Sequence, residues 1–247
     1  MRKLLGYIRR ACDDFKLIEP GDKICIGLSG GKDSLSLVAA LSRCRKFFRI
    51  PFELCAVHLC MGLCEEDVSG MQAFCREHDV PLTIVHTQIG HVVLNVRKEK
   101  NPCSLCANMR RGVLHEAAKN LGCNKVALAH HRDDAIETLL LCILQEGRMH
   151  TFSPITYLDR SGITLIRPMV YAPEAHIIRL AAQMNFPILK SPCPLDGHTR
   201  RQDVKELIKR IEKDFPHAGE RLFHALQNTA QYRLWDEPSL LRPPRQE

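Results

Sequence analysis

The stretch Lys23-Ile-Cys-Ile-Gly-Leu-Ser-Gly-Gly-Lys-Asp-Ser34 decides the fold. Its first half, residues 23–28, is an apolar run that predicts a short buried strand. Ser29 opens a Gly30-Gly31 turn, and residues 33–48 carry apolar side chains at helical spacing. A strand, a glycine loop and a helix start make a seat for a polyanion. The glycines let backbone N–H groups come close, and the helix start adds unpaired donors and a positive dipole end. Lys32 can reach phosphate oxygens, Asp33 can hold Mg²⁺, and Ser29 and Ser34 offer hydroxyls. A capped Gly-Gly turn explains two glycines, but not the whole hexapeptide between a strand and a helix. The glycine spacing is not that of a Walker A loop.

The alternation continues downstream. Residues 53–59 (ELCAVHL), 82–88 (LTIVHTQ) and 125–130 (KVALAH) read as strands. Residues 65–78, 104–121 and 133–145 read as helices, with a polar stretch at 95–102. Residues 2–17 form an amphipathic helix ahead of the first strand. Strands apolar throughout, alternating with helices, predict an α/β fold with a doubly wound, Rossmann-like parallel sheet. Ligands in such sheets sit at the carboxyl ends of the strands. The glycine loop, Val57, His58, Cys60 and the run from His130 to Asp134 all fall there. Val57, His58 and His130 are therefore expected to join the loop around ATP. From Thr151 the pattern changes. Residues 155–169 predict a hairpin around 159–162, and two or three helices follow. The expected division is an N-terminal helix (1–20), the nucleotide domain (21–195), C-terminal helices (196–237) and a loose tail (238–247).

The 247 residues suffice for one large α/β domain and a small appendage, and 45% hydrophobic with only 6% aromatic residues suits an aliphatic core. A net charge of +7 fits a polyanionic partner, although solvated Lys and Arg faces give the same balance. The N-terminal residues are not a signal peptide, and no apolar run is long enough to span a bilayer. No membrane association is expected. Twelve cysteines in a chain of the reducing cytoplasm point to metal or sulfur chemistry rather than to disulfides.

Cys103-Ser-Leu-Cys106 opens a helix, where the dipole lowers thiol pKa values, and Cys193 stands in a Ser-Pro-Cys-Pro loop. Three thiolates suit a [4Fe–4S] cluster with one iron lacking a protein ligand. Zinc, with His198 as a fourth ligand, is the alternative, and a redox pair or buried thiols also fit a CxxC. Cys60 and Cys64 suit either a sulfur relay or simple packing. Cys123 has no assigned role.

The hexapeptide resembles the phosphate loop of the ATP-pyrophosphatase (PP-loop) superfamily, which cleaves ATP between the α and β phosphates and adenylates an oxygen. Further motifs narrow this. Residues 103–114 (CSLCANMRRGVL), 129–138 (AHHRDDAIET), 166–171 (IRPMVY) and the Cys193 to Arg201-Gln202 spacing resemble the tRNA 2-thiocytidine synthetase family over about residues 20–230. That resemblance implies ATP, Mg²⁺ and a [4Fe–4S] cluster on Cys103, Cys106 and Cys193. It also implies tRNA as substrate, thiolated at C2 of cytidine 32, and a cysteine desulfurase as sulfur donor. A homodimer is one possible assembly.

Asp133 and Asp134 suit Mg²⁺ or proton handling, or else an acidic helix start. Of Arg110, Arg111 and Arg201, some would hold pyrophosphate or tRNA phosphate. Lys205, Lys209, Arg210 and Lys213 read as a tRNA contact or as a solvated face. The chain departs from the family in four places. Lys190 replaces a cysteine, Ala129 a glycine and His58-Leu-Cys60 an Asn-Leu-Asp, and both termini read as shorter. Two rivals remain: a thiolase acting on another base or another acceptor, and a nucleotide-binding iron–sulfur sensor without catalysis.

Overall fold

The computed structural model describes residues 1–48, 50–97, 102–190, 192–195, 197 and 200–228. The expected tail at 238–247 and His198 lie outside the described residues. Strands β1 (Lys23–Gly27), β2 (Glu53–Cys60), β3 (Leu82–His86), β4 (Lys125–Ala127), β5 (Ile155–Leu158) and β6 (Ile163–Ile166) form one sheet in the order β3-β2-β1-β4-β6-β5. The first four pair in parallel, and β6 runs parallel to β4. The hairpin read from residues 155–169 thus extends the main sheet, with β5 antiparallel at its edge. The chain winds outward from β1 through β2 to β3, then crosses to β4 on the other side of β1. That reversal opens a crevice at the carboxyl ends of β1 and β4, where open α/β sheets bind ligands.

Nine α-helices lie along the described chain: α1 (Arg2–Phe15), α2 (Lys32–Phe47), α3 (Ser69–Glu77), α4 (Ile89–His91), α5 (Pro102–Asn120), α6 (Arg132–Leu141), α7 (Glu174–Gln183), α8 (Arg200–Asp214) and α9 (Ala218–Gln227). Strand side chains alternate between two cores, as the pleat requires. Ile24, Ile26, Leu54 and Ala56 pack with α1, α2, α3 and α7. Cys25, Cys55, Val57 and Val126 pack with Leu114 and Ala118 of α5. Both faces are covered, as the apolar strands predict. Cys123 also joins the α5 side, its Sγ 3.4 Å from that of Cys55.

At the amino ends of β1 and β4, Lys125 Nζ lies 2.8 Å from Asp22 and 3.1 Å from Glu19, and donates to the Leu17 carbonyl. Lys125 and Asp22 are both buried. Among the described residues no helix is long and apolar enough to cross a membrane.

Three boundaries differ from the sequence reading, each for a local reason. The fourth strand ends at Ala127, and Leu128 N–H makes a last bond to the Ile166 carbonyl before His130 and His131 turn away. The helix expected from residue 65 starts at Ser69, because the residues before it form a loop tied down through Glu66 and Thr87. The stretch read as polar from 95 is preceded by α4, which widens into π-helical turns through Val92–Arg97.

Candidate active site

The two loop glycines do different jobs. Gly30 has φ +81°, and a Cβ there would stand 2.8 Å from Leu189 Cβ. Leu189 N–H also donates to the Gly30 carbonyl at 3.0 Å, so a later segment lies directly on the loop. Only glycine suits that conformation and that contact. At Gly31 a Cβ would meet nothing nearer than Ser29 Oγ at 3.6 Å. Glycine is not needed there for packing, and its absent side chain leaves space in front of α2. That helix starts without a side-chain cap, so its first N–H groups remain available. Ser34 Oγ donates to the Gly31 carbonyl and lies 3.2 Å from Ser29 Oγ, which pins the loop from within.

Lys32 Nζ sits between two carboxylates, 2.9 Å from Asp33 and 3.1 Å from Glu174. Lys205 of α8 reaches the same Glu174 at 2.6 Å. Burial works to lower the Lys32 pKa, but Asp33 and Glu174 outweigh it and hold it above its ordinary value. Burial likewise works to raise Glu174, and the hydrogen bonds from Lys205 and Lys32 hold it down at about 2. Asp33 Oδ1 is buried with no hydrogen-bond partner, and His131 Nε2 stands 3.8 Å away.

His131 caps α6. Its Nδ1 accepts from Asp134 N–H at 3.3 Å, while Asp134 Oδ2 accepts from His131 N–H at 2.8 Å. Nδ1 therefore carries no proton, and Nε2 bears the N–H that faces Asp33. Asp133 Oδ2 accepts the first N–H of α7, from Glu174, at 2.8 Å. Both carboxylates thus hold helix starts. Arg201 reaches Asp134 and Thr138 and stands 3.9 Å from Glu137. Burial, then Asp134, push Glu137 up to about 7. His130 is held down at about 4 by burial, against Asp134, with Arg167 and Arg201 adding to the effect. Its ring leans on Phe152 at 4.9 Å, and its Nδ1 is buried without a partner.

The structure brings the three triad cysteines into one electrostatic neighbourhood. Burial raises the Cys106 thiol, Arg110 opposes this partly through a hydrogen bond, and Cys193 and Cys103 raise it further. Cys103 is exposed and the other two are half-buried. Arg111 turns to Asn108 and the Ala107 carbonyl. It also lies close enough to the buried Arg167 to help burial lower that guanidinium to about 10. Val57 is buried in the sheet, and the His58 ring is bonded to Leu28 and Glu66.

Sequence reasoning missed four members of this neighbourhood: Glu174, Thr138, Arg167 and Glu66. Arg167 lay inside a quoted motif without a role. Lys205, read as a tRNA contact or as part of a solvated face, has a partner that neither reading names. It turns inward to Glu174, whereas Glu174 itself carries no local signal.

A family model described as a PP-loop domain matches residues 7–210. A tRNA-cytidine(32) 2-sulfurtransferase of Verminephrobacter eiseniae is 37% identical over 237 residues, 95% of this chain and 75% of that protein. One of Pelobacter propionicus is 35% identical over 96% of this chain and 89% of its own length. Among solved structures, the U34-tRNA thiolase NcsA from Methanococcus maripaludis with its [4Fe-4S] cluster superposes with a TM-score of 0.73. It is 23% identical and covers 92% of this chain and 77% of its own, a likeness of fold. The chain belongs to the PP-loop family and, within it, to the family of the tRNA-cytidine(32) 2-sulfurtransferases.

Proposed function

We propose that this chain is an ATP-dependent tRNA thiolase that adenylates the C2 oxygen of a cytidine, the one at position 32, and replaces it with sulfur. One observation carries the reading. The segment that lies on Gly30 through Leu189 carries Cys193 four residues later. Four residues span at most about 14 Å. The phosphate loop and the thiol triad are therefore read as two halves of one site, one to activate an oxygen and one to deliver sulfur.

The chain's own groups divide the work as follows. The start of α2 and the space left by Gly31 receive the triphosphate. Lys32 and Lys205, pre-set by Glu174, turn to the phosphate oxygens as charge builds on the departing pyrophosphate. Asp33, with its unpartnered buried oxygen, fits Mg²⁺, a hard cation that takes carboxylate oxygens. The cytidine oxygen attacks the α-phosphorus, and pyrophosphate leaves with the bonding pair. A sulfur nucleophile then adds at C2, and AMP leaves with the oxygen. Asp133, Asp134 and Arg201 hold α6, α7 and α8 around this centre, Val57 and His58 form its wall, and His130 is a neutral imidazole beside it.

The three thiols fit a [4Fe–4S] cluster: they come from two separate segments, share one neighbourhood, and have Arg110 to offset thiolate charge. When bound by Cys103, Cys106 and Cys193, such a cluster presents an iron without a protein ligand, where sulfur for transfer can be carried. The sulfur source we infer is a cysteine desulfurase or another sulfur donor, and the compartment is the reducing cytoplasm.

The test uses anaerobically reconstituted protein with ATP, Mg²⁺, sulfide and bulk tRNA. The expected result is pyrophosphate release that depends on tRNA, and 2-thiocytidine in the digested product by mass spectrometry. Pyrophosphate without any thionucleoside sinks the proposal. Zinc in place of iron at the triad would overturn the cluster assignment.

A further inference from the structure

A second cluster of metal-ligating side chains stands apart from the cysteine triad. His58 and Cys60 end β2, and Glu66 comes from the loop that follows. Their donor atoms, one nitrogen, one sulfur and one oxygen, lie within 4.8 Å of one another. The His58 and Glu66 side chains are only 3% and 5% exposed.

The hydrogen bonds of His58 set its chemistry. Nδ1 lies 2.8 Å from the Leu28 carbonyl oxygen. A carbonyl only accepts, so Nδ1 carries a proton and donates it. In the neutral ring Nε2 is then a bare lone pair, and it faces Glu66 Oε2 at 3.3 Å. Two acceptors facing each other in a buried place need a proton or a metal cation between them. A ring N–H given to a backbone carbonyl is also how proteins orient a metal-ligating histidine. Two ligands at the tetrahedral angle, each about 2.0 Å from zinc, stand about 3.3 Å apart, a spacing this pair already has.

The loop is braced from outside. Glu66 Oε1 accepts from Met61 N–H, which leaves Oε2 free to face His58. Gly90 N–H donates to the Met61 carbonyl, and Thr87 donates to the Cys60 carbonyl through both N–H and hydroxyl. A Cβ at Gly62 would meet the Thr87 carbonyl oxygen at 2.4 Å, so the two segments are in direct contact there.

We propose that His58 Nε2, Cys60 Sγ and Glu66 Oε2 form a zinc site, with water in the fourth position. A nitrogen, a thiolate and a carboxylate oxygen are zinc's ligand types, and three protein ligands leave one coordination position open. Through the Nδ1–Leu28 bond the ion would stiffen the residue that precedes the phosphate loop. Cys64 is exposed and plays no part.

The test is metal analysis of the full chain carrying Cys103→Ala, Cys106→Ala and Cys193→Ala, which removes the competing triad. The protein is loaded with ZnCl₂ and desalted. The expected result is about one zinc ion per chain. Zinc falls at least tenfold in Cys60→Ser and in His58→Gln, and stays in Cys64→Ser. Cobalt loading gives sulfur-to-cobalt absorption that Cys60→Ser abolishes, while unchanged circular dichroism shows that this variant is folded. No zinc retained overturns the site, as does zinc undiminished in both variants. Loss in Cys64→Ser but not in Cys60→Ser overturns the ligand set. A doubly protonated His58 by nitrogen NMR, unchanged on adding zinc, means an imidazolium–carboxylate pair only and also overturns it.

Discussion

Glu174 joins Lys32 to Lys205: its carboxylate lies 3.1 Å from one ammonium and 2.6 Å from the other. Its backbone N–H is held by Asp133. One residue thus ties the phosphate loop, α6, α7 and α8 together. Glu174→Gln keeps the shape but removes the charge that orders both lysines. A charged hydrogen bond contributes about 1.5–3 kcal/mol. We expect kcat/KM for ATP in tRNA-dependent pyrophosphate release to fall roughly tenfold or more. An unchanged value would leave Glu174 a scaffold residue alone.

The loop glycines should separate in experiment as they do in geometry. Gly30→Ala forces a side chain into a positive-φ position and onto Leu189. The conformational part alone costs about 1–2 kcal/mol, so a lower melting temperature is expected. Gly31→Ala has room and an ordinary φ of −77°. It should melt like the parent yet bind ATP more weakly, because its methyl stands where the phosphates approach. Calorimetry and ATP titration on both variants check this. Equal melting temperatures would contradict the Gly30 argument.

Glu137 gives a pH signature. Its folded pKa of about 7 lies above the usual carboxylate value, because burial and then Asp134 disfavour the charge. The folded state therefore holds the proton more tightly than the unfolded chain. Stability is highest at low pH on this account, falls as pH rises from about 4.5 to 7, and stays reduced above that. The full loss is at most about 3 kcal/mol. Glu137→Gln should leave the melting temperature unchanged near pH 5 and raise it at pH 8. The opposite trend would mean that Arg201 dominates instead.

The buried Lys125–Asp22 pair lies at the amino end of the sheet, away from the crevice. Lys125→Met leaves the Asp22 carboxylate buried without its cation, which costs about 3–5 kcal/mol. Asp22→Asn in the same chain should recover part of that. Denaturant midpoints measure both, and ATP affinity of the folded fraction should not change.

What the sequence disclosed and what it withheld follow from the range of each signal. Ser29 to Ser34, the first three strands and the helix that follows His131 are local patterns, set by the residues themselves, and they stand within a few residues of where they are read. The partner of Lys32 arrives from α7, and no spacing rule connects the two. Lys205 shows the same limit. On α8 it reads as one more surface cation, and only the tertiary fold supplies the half-buried Glu174 that turns it inward. His58 read as a nucleotide contact because of where its strand ends. Its ring partners, the carbonyl of Leu28 and the carboxylate of Glu66, come from outside that strand and carry no local signal.

Arg111 and Arg167 provide the last test. Arg167 is buried under Phe152 and donates to the Ser153 carbonyl, so its charge is committed to the fold. Arg111 is exposed nearby, and its charge adds to the lowering of the Arg167 pKa. Two like charges this close are relieved when a phosphate comes between them. Arg111→Ala should weaken tRNA binding at low salt and reduce the slope of log affinity against log salt by about one. It should not destabilise the fold, because removing it relieves Arg167. Arg167→Ala behaves oppositely: the Ser153 carbonyl loses its donor and the protein melts earlier. Filter binding across a salt series, with melting curves on both variants, separates the two roles. An unchanged salt slope in Arg111→Ala would remove this residue from the tRNA surface.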